Sequence, residues 1–464
     1  MTKACAGPLA AAALLLASLP GGLRCELAAG AARRCITPPL DKGPVWLAGF
    51  NPGRAATGVH DDLWARCLAL SDGSRKLVLC SLDSIGLFAE DVEHIRSLVR
   101  ARLSAQLIIA ATHVHQAPDT LGLWGPQLGV SGRNPAYDRL VAERTAEAAI
   151  EAAGSLRPAT LRLARASSPE LESFINDTRP PVVTDAELLL MHLAGRDGRT
   201  IATALNWANH PEVLGSNNTL VTADYAAWLY RRLEQRLGGV ALLFNGALGG
   251  MQSPLGAKVT DPATGSPAPE ASFRKAELIG TRVAHLAADA LRTARPVSVS
   301  AVHYAEKRVR IPVTNARMVQ AAQAGVFGAA RRIGADGSLE TLVGLLRIEK
   351  GGRAVLEAAL VPGELYPELS RGGIERLPGA DFPDAPLEIP LKQMMRAPWR
   401  WLIGLANDEI GYIIPKAEWD ESPPWLNNAA RRWYGEVNSL GPEAAARIAA
   451  ALSELLVTAT NRGK

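Results

Sequence analysis

The chain has 464 residues, of which 48% are hydrophobic and 21% are charged, so it contains enough apolar sequence to bury a large core. Its formal net charge is only +4, and no run of Lys and Arg is interleaved with aromatic residues. This composition argues against a nucleic-acid partner, because proteins of that class concentrate basic charge on one surface.

The first residues have the layout of a secretory signal. Lys3 precedes the apolar run Leu9–Leu19, and Pro20 with two glycines follows it. The run is too short to span a bilayer stably, and no other stretch approaches transmembrane length. We therefore expect a signal peptide at residues 1–24 and a secreted or periplasmic mature protein at residues 25–464. An N-terminal core helix is the alternative.

The cysteines agree with export, because four of the five remain after a signal peptide is removed. Cys25 and Cys35 would close a short loop and are the preferred disulfide pair. Cys67 and Cys80 lie in apolar, strand-like segments, where they can simply be buried thiols.

The hydrophobic pattern predicts an alternation of strands and helices. In chain order, the predicted elements are a β-hairpin (Leu63–Leu70 with Lys76–Leu82), a helix (Phe88–Leu103), a strand (Leu107–Ala111), a helix opened by Asn134 and closed by Gly154, three strands (Leu161–Ala164, Glu187–Leu193 and Ile201–Trp207), a helix ending near Gly238, a strand (Val240–Asn245), a helix from about Ser272 to Arg292, two strands (Val297–Pro312 and Ala354–Val361) and a helix (Pro442–Val457). This order is typical of an α/β fold, with a mixed β-sheet and flanking helices. In such folds functional groups collect on loops at the strand ends.

Three histidines follow two of the predicted strands. The segment LIIAATHVHQAP ends an apolar run with His113 and His115, whose side chains would point to the same face if the extended conformation continued. The segment IATALNWANHP places His210 after another strand. Solvated or structural histidines are the alternative at each position, but three histidines at two strand ends favour a shared metal or proton-transfer site.

Other polar residues follow later strands. Val240–Pro254 ends in a glycine-rich turn that presents Ser253, although the nucleophile motif G-x-S-x-G is absent. Leu360–Leu365 is read as a strand with Glu364 at its exit, and Leu402–Pro415 as a strand that contains Asp408, Glu409 and Tyr412. A carboxylate or phenolate added to two imidazoles gives a mixed coordination shell suited to zinc.

Taken together, these segments resemble the neutral/alkaline non-lysosomal ceramidases, which are zinc-dependent amidases that cleave the N-acyl bond of ceramide. The resemblance covers about residues 45–412 and rests on motifs in the family's order: GFNPGRAATGVHDDLWAR, ATHVHQAP, NWANHP with NNTLVTADY, FNGALGGMQSP, and VPGEL with NDEIGY.

The resemblance implies a role for each matching residue. The zinc ligands would be His113, His210, Glu364 and Tyr412, with Asp408 or Glu409 as an alternative to Tyr412. His115 would be the neighbouring acid/base group, Ser253 would match a pocket serine that hydrogen-bonds the carbonyl oxygen, and Arg179 would match a substrate-contacting arginine.

Three departures from the family's pattern concern the substrate. Gln116 and Asp119 replace small residues and are expected to narrow or polarise the pocket rim, and Met251 replaces an acid. The chain also ends too soon after Tyr412 for the family's C-terminal β-sandwich domain, so we expect that domain to be missing.

The sequence therefore predicts an exported zinc hydrolase that acts on an amide bond, either of ceramide or of another N-acyl compound. The alternatives are a hydrolase of the same fold acting on a non-lipid amide or ester, and a non-catalytic binding protein on this scaffold. An apolar channel to the site would favour ceramide, and a polar, open cleft would favour the non-lipid alternative. Peripheral membrane contact is left open.

Overall fold

The structure is a computed structural model that describes residues 26–250, 252–328 and 331–461. The predicted signal peptide and Cys25 lie outside the described residues. In the part of the chain that is described, no helix combines the length and the apolar character needed to cross a bilayer.

The described chain alternates strands and helices, as predicted. The strands are β1 (Ala28–Cys35), β2 (Gly58–Val59), β3 (Trp64–Ser71), β4 (Lys76–Leu82), β5 (Gln106–Ala111), β6 (Arg157–Ala166), β7 (Leu188–Gly195), β8 (Thr200–Trp207), β9 (Leu220–Val221), β10 (Val240–Asn245), β11 (Pro296–Val297), β12 (Ala301–Pro312), β13 (Ser338–Lys350), β14 (Arg353–Leu360), β15 (Glu364–Leu365), β16 (Trp399–Ile403) and β17 (Tyr412–Ile413). The helices are α1 (Ala89–Arg100), α2 (Pro135–Gly154), α3 (Pro169–Ser173), α4 (Tyr225–Leu237), α5 (Phe273–Leu291), α6 (Ala316–Gln323), α7 (Pro367–Arg371), α8 (Leu391–Met394), α9 (Tyr434–Val437) and α10 (Ala444–Asn461).

The main sheet has the order β10-β8-β7-β6-β1-β3-β4-β5, and β11 pairs with β6. The β4–β5 and β8–β10 pairs are parallel and the other pairs are antiparallel. A second sheet has the order β12-β13-β14-β16, and two short ladders join β15 to β17 and β2 to β9. The predicted mixed sheet with flanking helices is confirmed.

Alternate residues of the main sheet enter two different cores. On β10, Leu243 packs in the core shared with α1, α2, α4 and α5, whereas Phe244 packs in the core between the two sheets. A third core lies between the outer face of the second sheet and α10. The layers are therefore helices, main sheet, second sheet and helix.

The main sheet curls until its two edges come close together. Ser81 on β4 donates a hydrogen bond to the carbonyl oxygen of Leu243 on β10 at 2.5 Å, and Arg66 on β3 donates to that of Ala241 at 3.2 Å. These side chains connect the edge strand β10 to β3 and β4, which lie next to the other edge strand, β5. No backbone ladder joins β10 to β5 among the described residues, so the sheet is not a closed barrel. The curl matters because it brings the ends of β5 and β8 to one place.

Two predicted strands are wrong in detail. The Leu402–Pro415 segment is not one strand, because β16 ends at Ile403 and β17 begins at Tyr412, with Asp408 and Glu409 on the loop between them. The Leu360–Leu365 segment is likewise divided between β14 and β15, since Pro362 interrupts the ladder.

The cysteines also differ from the expectation. Cys67 and Cys80 are directly opposite each other on β3 and β4, with a Cα–Cα distance of 4.1 Å, and they form a disulfide rather than two buried thiols. Adjacent antiparallel strands supply the short separation that a disulfide needs. Cys35 is a free thiol in the described structure, and its predicted partner Cys25 is outside it.

Candidate metal centre

The loops after β5 and β8 carry the histidines, and one asparagine connects them. The side-chain amide of Asn245, the last residue of β10, donates to the carbonyl oxygens of Thr112 at 2.8 Å and Asn209 at 3.1 Å. The backbone N–H of His115 donates to the carbonyl oxygen of Pro211 at 3.1 Å. Both loops are therefore held at the edge where β10 approaches β5.

His113 reaches the site from an unusual backbone conformation. Its φ is +66°, in the left-handed region that non-glycine residues rarely adopt, so the extended conformation of β5 does not continue to His115 as the prediction assumed. His113 and His115 nevertheless converge, with ring centroids 4.9 Å apart. The turn at His113, rather than strand alternation, brings them together.

His113 and His210 are oriented in the same way. Nδ1 of His113 lies 2.6 Å from the carbonyl oxygen of Ile85, and Nδ1 of His210 lies 2.8 Å from that of Gln252. A carbonyl can only accept, so both rings are protonated on Nδ1 and present the lone pair of Nε2. This is the arrangement that holds a histidine as a metal ligand.

Glu364 faces both of these Nε2 atoms. Its Oε2 lies 3.1 Å from Nε2 of His210 and 3.4 Å from Nε2 of His113. Burial disfavours the charged carboxylate, but the two imidazoles outweigh that effect and hold the pKa of Glu364 below its ordinary value. Glu364 is thus suited to remain ionised, as a carboxylate ligand of a metal ion must be.

Tyr412 is next to Glu364 because β15 and β17 pair in parallel with these two residues in register. The Tyr412 hydroxyl is hydrogen-bonded to the Glu364 carboxylate. Burial and the nearby carboxylate raise the pKa of Tyr412 well above its ordinary value. The four predicted ligands are therefore brought together.

His115 completes a triangle of imidazoles. Its ring centroid lies 5.4 Å from that of His210, and the rings of His113 and His210 are 5.1 Å apart. The three histidines each offer a nitrogen within 4.8 Å of the others, and they are the group of this kind found among the described residues. Both ring nitrogens of His115 are buried there, and neither has a hydrogen-bond partner of standard geometry. These converging nitrogens, with Glu364, fit a divalent transition metal.

Sequence reasoning missed Glu212, which contacts His115. Its Oε2 lies 3.1 Å from Nδ1 of His115, and its Oε1 accepts a hydrogen bond from the hydroxyl of Ser253. Burial lowers the pKa of His115 to about 4, while His115, His210 and Ser253 overcome the effect of burial on Glu212 and lower its pKa to about 2. The sequence signal was a carboxylate two residues after His210 at a strand end.

The contacts of Arg179 in the structure are with other protein groups. The guanidinium is buried, forms an ion pair with Glu436 and donates to the carbonyl oxygen of Glu418 at 2.8 Å. Arg179 is not among the described residues that line the cavity beside His113. Contact with a substrate therefore stays a prediction for this residue.

Asp408 and Glu409, the alternative ligands to Tyr412, lie in different environments. Asp408 forms an ion pair with Arg331 at 2.5 Å and accepts from Thr341 at 2.6 Å, so its carboxylate is occupied. Glu409 lies beside the cavity, where burial and the nearby Glu364 carboxylate raise its pKa well above the ordinary value. A protonated Glu409 is a poorer metal ligand than an ionised Glu364.

A largely apolar cavity of about 100 Å³ lies beside His113 of the histidine cluster. Its polar lining includes His113, Arg331, Glu364, Glu409, Tyr412 and Asn438. Its apolar wall includes Leu121, Leu123, Trp124, Met318, Phe327 and Ile410. A larger cleft of about 1110 Å³, beside Arg75 and Arg347, contains none of the predicted site residues.

The expected effect of Gln116 and Asp119 on the pocket rim is wrong. Gln116 is fully buried and accepts from Arg54 at 3.0 Å, and Asp119 is buried and accepts from four backbone N–H groups of the following loop. Neither side chain is part of the described cavity lining. These residues hold loops, and most of the residues that line the cavity are apolar.

Comparison with known proteins identifies the fold. No protein-family model and no curated protein match the sequence. The crystal structure of neutral ceramidase from Pseudomonas aeruginosa matches with a TM-score of 0.67 and 14% identity, over 94% of this chain and 75% of that one. A ceramidase complexed with C2 matches with a TM-score of 0.68 and 14% identity, over 94% and 76%. The chain therefore has the fold of these ceramidases, with a buried histidine cluster that can hold a metal ion.

Proposed function

We propose that the protein is a zinc-dependent amidohydrolase that cleaves the N-acyl bond of a ceramide-like lipid. The observation that carries this proposal is the largely apolar cavity whose lining includes His113, Glu364 and Tyr412. An apolar acyl group in the cavity would bring its amide carbonyl to His113 and Glu364. A cavity with this wall favours an N-acyl lipid over a non-lipid amide or ester with a polar acyl part.

The proposed ligands are His113, His210, Glu364 and Tyr412. When bound, zinc supplies a water molecule of lowered pKa and a Lewis acid for the amide carbonyl. The carbonyl acceptors of Ile85 and Gln252 keep the Nε2 lone pairs of the two histidines available. His115 would carry a proton to the leaving amine, because its Nε2 is buried beside the other two imidazoles.

Ser253 is not proposed as a nucleophile. Its hydroxyl donates to Glu212, and its oxygen accepts from the N–H of Leu255 at 3.1 Å. In a serine triad the hydroxyl donates to the imidazole and the carboxylate holds the far side of that ring. Here the order is serine, carboxylate, imidazole, which supports hydrolysis by activated water rather than an acyl-enzyme.

The size of the cavity favours a short acyl group. Pockets that enclose drug-sized ligands occupy roughly 300–1,000 Å³, whereas this cavity occupies about 100 Å³. We expect short-chain N-acylsphingosines to be cleaved with higher kcat/KM than long-chain ones. Equal kcat/KM values across a series of increasing acyl length would contradict this substrate assignment.

The first experiment is the metal content of the purified protein and of His113→Ala and His210→Ala. We expect about one zinc per chain, lost in both variants. His94→Ala is the matched control, because His94 is an exposed histidine on α1 and should leave the zinc content unchanged. A folded wild-type protein without stoichiometric metal would overturn the zinc mechanism and favour the non-catalytic binding protein.

A further inference from the structure

We propose that Glu212 is a positioning residue that fixes the tautomer and orientation of His115, with Ser253 fixing Glu212 in turn. This inference rests on the proposed amidohydrolase function for its catalytic consequence. Its structural content, that His115 is protonated on Nδ1 and presents Nε2 to the metal centre, can be tested separately.

The first support is a buried chain of three side chains. The hydroxyl of Ser253 donates to Oε1 of Glu212, and Oε2 of Glu212 lies 3.1 Å from Nδ1 of His115. Their exposed fractions are 4%, 2% and 6%. Water therefore has little access to the carboxylate. Nδ1 of His115 has no other hydrogen-bond partner in the described structure, so we infer that it donates to Glu212 in a bond that is stronger than at the surface.

The second support is the backbone packed against the His115 ring. Gly49 has a φ of +91°, and a Cβ at this position would lie 2.3 Å from Cγ of His115. The Phe50 ring meets the imidazole edge-on at 5.0 Å, and Arg54 donates to the carbonyl oxygen of His115 at 2.7 Å. The GFNPGR segment thus encloses the ring, and Glu212 supplies the polar contact that selects its orientation.

The third support is the use of both Glu212 oxygens. Oε1 accepts from Ser253 and Oε2 faces His115, whereas the Nε2 atoms of His113 and His210 face Glu364. The two carboxylates therefore have different partners. Glu364 lies among the candidate ligands, and Glu212 lies between His115 and Ser253.

The consequence follows from imidazole chemistry. A carboxylate at Nδ1 favours the tautomer with the proton on that nitrogen and leaves a lone pair on Nε2. Without Glu212, the neutral ring can also take the other tautomer, which has no lone pair to offer at the centre. An apolar residue at position 212 should therefore lower kcat more than it raises KM.

The test compares Glu212→Gln with Glu212→Leu. A Gln amide is isosteric and its oxygen still accepts from His115 Nδ1–H, so we expect less than a tenfold loss of kcat, with KM and zinc content unchanged. Leu cannot accept, so we expect kcat to fall about 10–100-fold, which is typical of supporting residues around metal sites. Glu357→Gln is the control, because it neutralises another buried carboxylate that accepts backbone hydrogen bonds.

A second readout does not depend on activity. Nitrogen-15 NMR of histidine-labelled protein distinguishes the two neutral tautomers, and we expect His115 to carry its proton on Nδ1 in the wild type and in Glu212→Gln, but not in Glu212→Leu. If Glu212→Leu fails to fold, Ser253→Ala replaces it and should partly lose the Nδ1 signal.

Three results would overturn the inference. These are an Nε2-protonated His115 in the wild type, an unchanged tautomer with unchanged kcat in Glu212→Leu, and loss of zinc in Glu212→Gln, which would make Glu212 part of the metal shell. A wild-type protein without amidase activity would instead defeat the proposed function, and the NMR result would still decide the role of Glu212.

Discussion

His113 and His210 show how single residues prepare this site. Each ring donates from Nδ1 to a backbone carbonyl, and those carbonyls belong to the segments that follow β4 and β10. Backbone acceptors cannot rotate away as side chains do, so the orientation of each Nε2 is fixed by the fold.

Asp83 is a buried acid at the start of the segment that carries the Ile85 carbonyl. It accepts from the N–H of Trp64 at 2.9 Å and from the hydroxyl of Tyr230 at 3.1 Å. Burial raises its pKa to about 6, although Arg66 opposes that effect, and Asp61 adds to it. The folded protein therefore favours the protonated acid.

This shift predicts a pH-dependent stability difference. Because the folded pKa exceeds the unfolded value, the contribution of Asp83 is fully present below about pH 4 and is lost as the pH rises to about 6, by roughly 3 kcal/mol. Asp83→Asn cannot ionise, so its stability relative to the wild type should increase over that interval. Urea unfolding of both proteins at pH 4, 5, 6 and 7 measures this change. A stability difference between variant and wild type that stays constant with pH would contradict the raised pKa of Asp83.

At the scale of elements, the loop from Leu121 to Gly132 depends on one carboxylate. Asp119 accepts from the N–H groups of Leu121 and Gly122 with one oxygen and from those of Trp124 and Gly132 with the other, at 2.7–3.1 Å. Since Leu121 and Trp124 line the cavity, this carboxylate shapes the pocket without entering it.

Asp119→Ala should loosen this loop. Four backbone donors lose their acceptor, so we expect a loss of about 2–4 kcal/mol in the free energy of unfolding and a higher KM for the N-acyl substrate, with unchanged zinc content. Limited proteolysis of the loop and steady-state kinetics test this. Asp119→Asn keeps one acceptor oxygen, so its stability should lie between those of the wild type and Asp119→Ala. A loop that still resists proteolysis in Asp119→Ala would disprove the role of Asp119 in holding it.

The β3–β4 hairpin is a second element with a testable constraint. The Cys67–Cys80 disulfide closes a loop with a sequence separation of 13 residues, and both cysteines are fully buried. Replacing both with Ala should lower the free energy of unfolding by about 3 kcal/mol, measured by urea denaturation. Cys35→Ala removes a free thiol and serves as the control, and equal midpoints for all three proteins would show that the disulfide adds no stability.

Local sequence predicted most elements but not the connections that require distant partners. The hairpin, α1 and the histidine-bearing strands have clear patterns over a few residues. The disulfide depends on the register of two strands, and the turn at His113 depends on Ile85 and Glu364, which are remote in sequence. The role of Asp119 depends on where the next loop folds. Such contacts leave no periodic signal in the chain.

At the scale of the whole molecule, the site joins parts that belong to different layers. The histidines follow β5 and β8 of the main sheet, whereas Glu364 and Tyr412 lie on the β15–β17 ladder that follows strands of the second sheet. The motif order was enough to predict that these four residues belong to one site, and their role as ligands stays a prediction. The curl of the main sheet, which makes their meeting possible, could not be predicted from local patterns.

A metal that joins these layers should stabilise the fold. A ligand that binds only the folded state at a hundredfold excess over its Kd adds about 2.7 kcal/mol. We expect zinc to raise and a chelator to lower the melting temperature of the wild type, with His94→Ala behaving like the wild type. His113→Ala should show no zinc-dependent change, and an equal zinc effect in that variant would place the ion elsewhere.

The spread of the four proposed ligands along the chain has a consequence for the order of events during synthesis. Chains grow from the N-terminus, so His113 and His210 are made well before Glu364 and Tyr412. Until the last of them has joined its ladder, the nascent protein offers two or three imidazoles without the carboxylate that neutralises a divalent cation. Zinc binding by the proposed ligand set would therefore be a late step, and a chain that stops before Tyr412 is expected to bind zinc more weakly than the full chain.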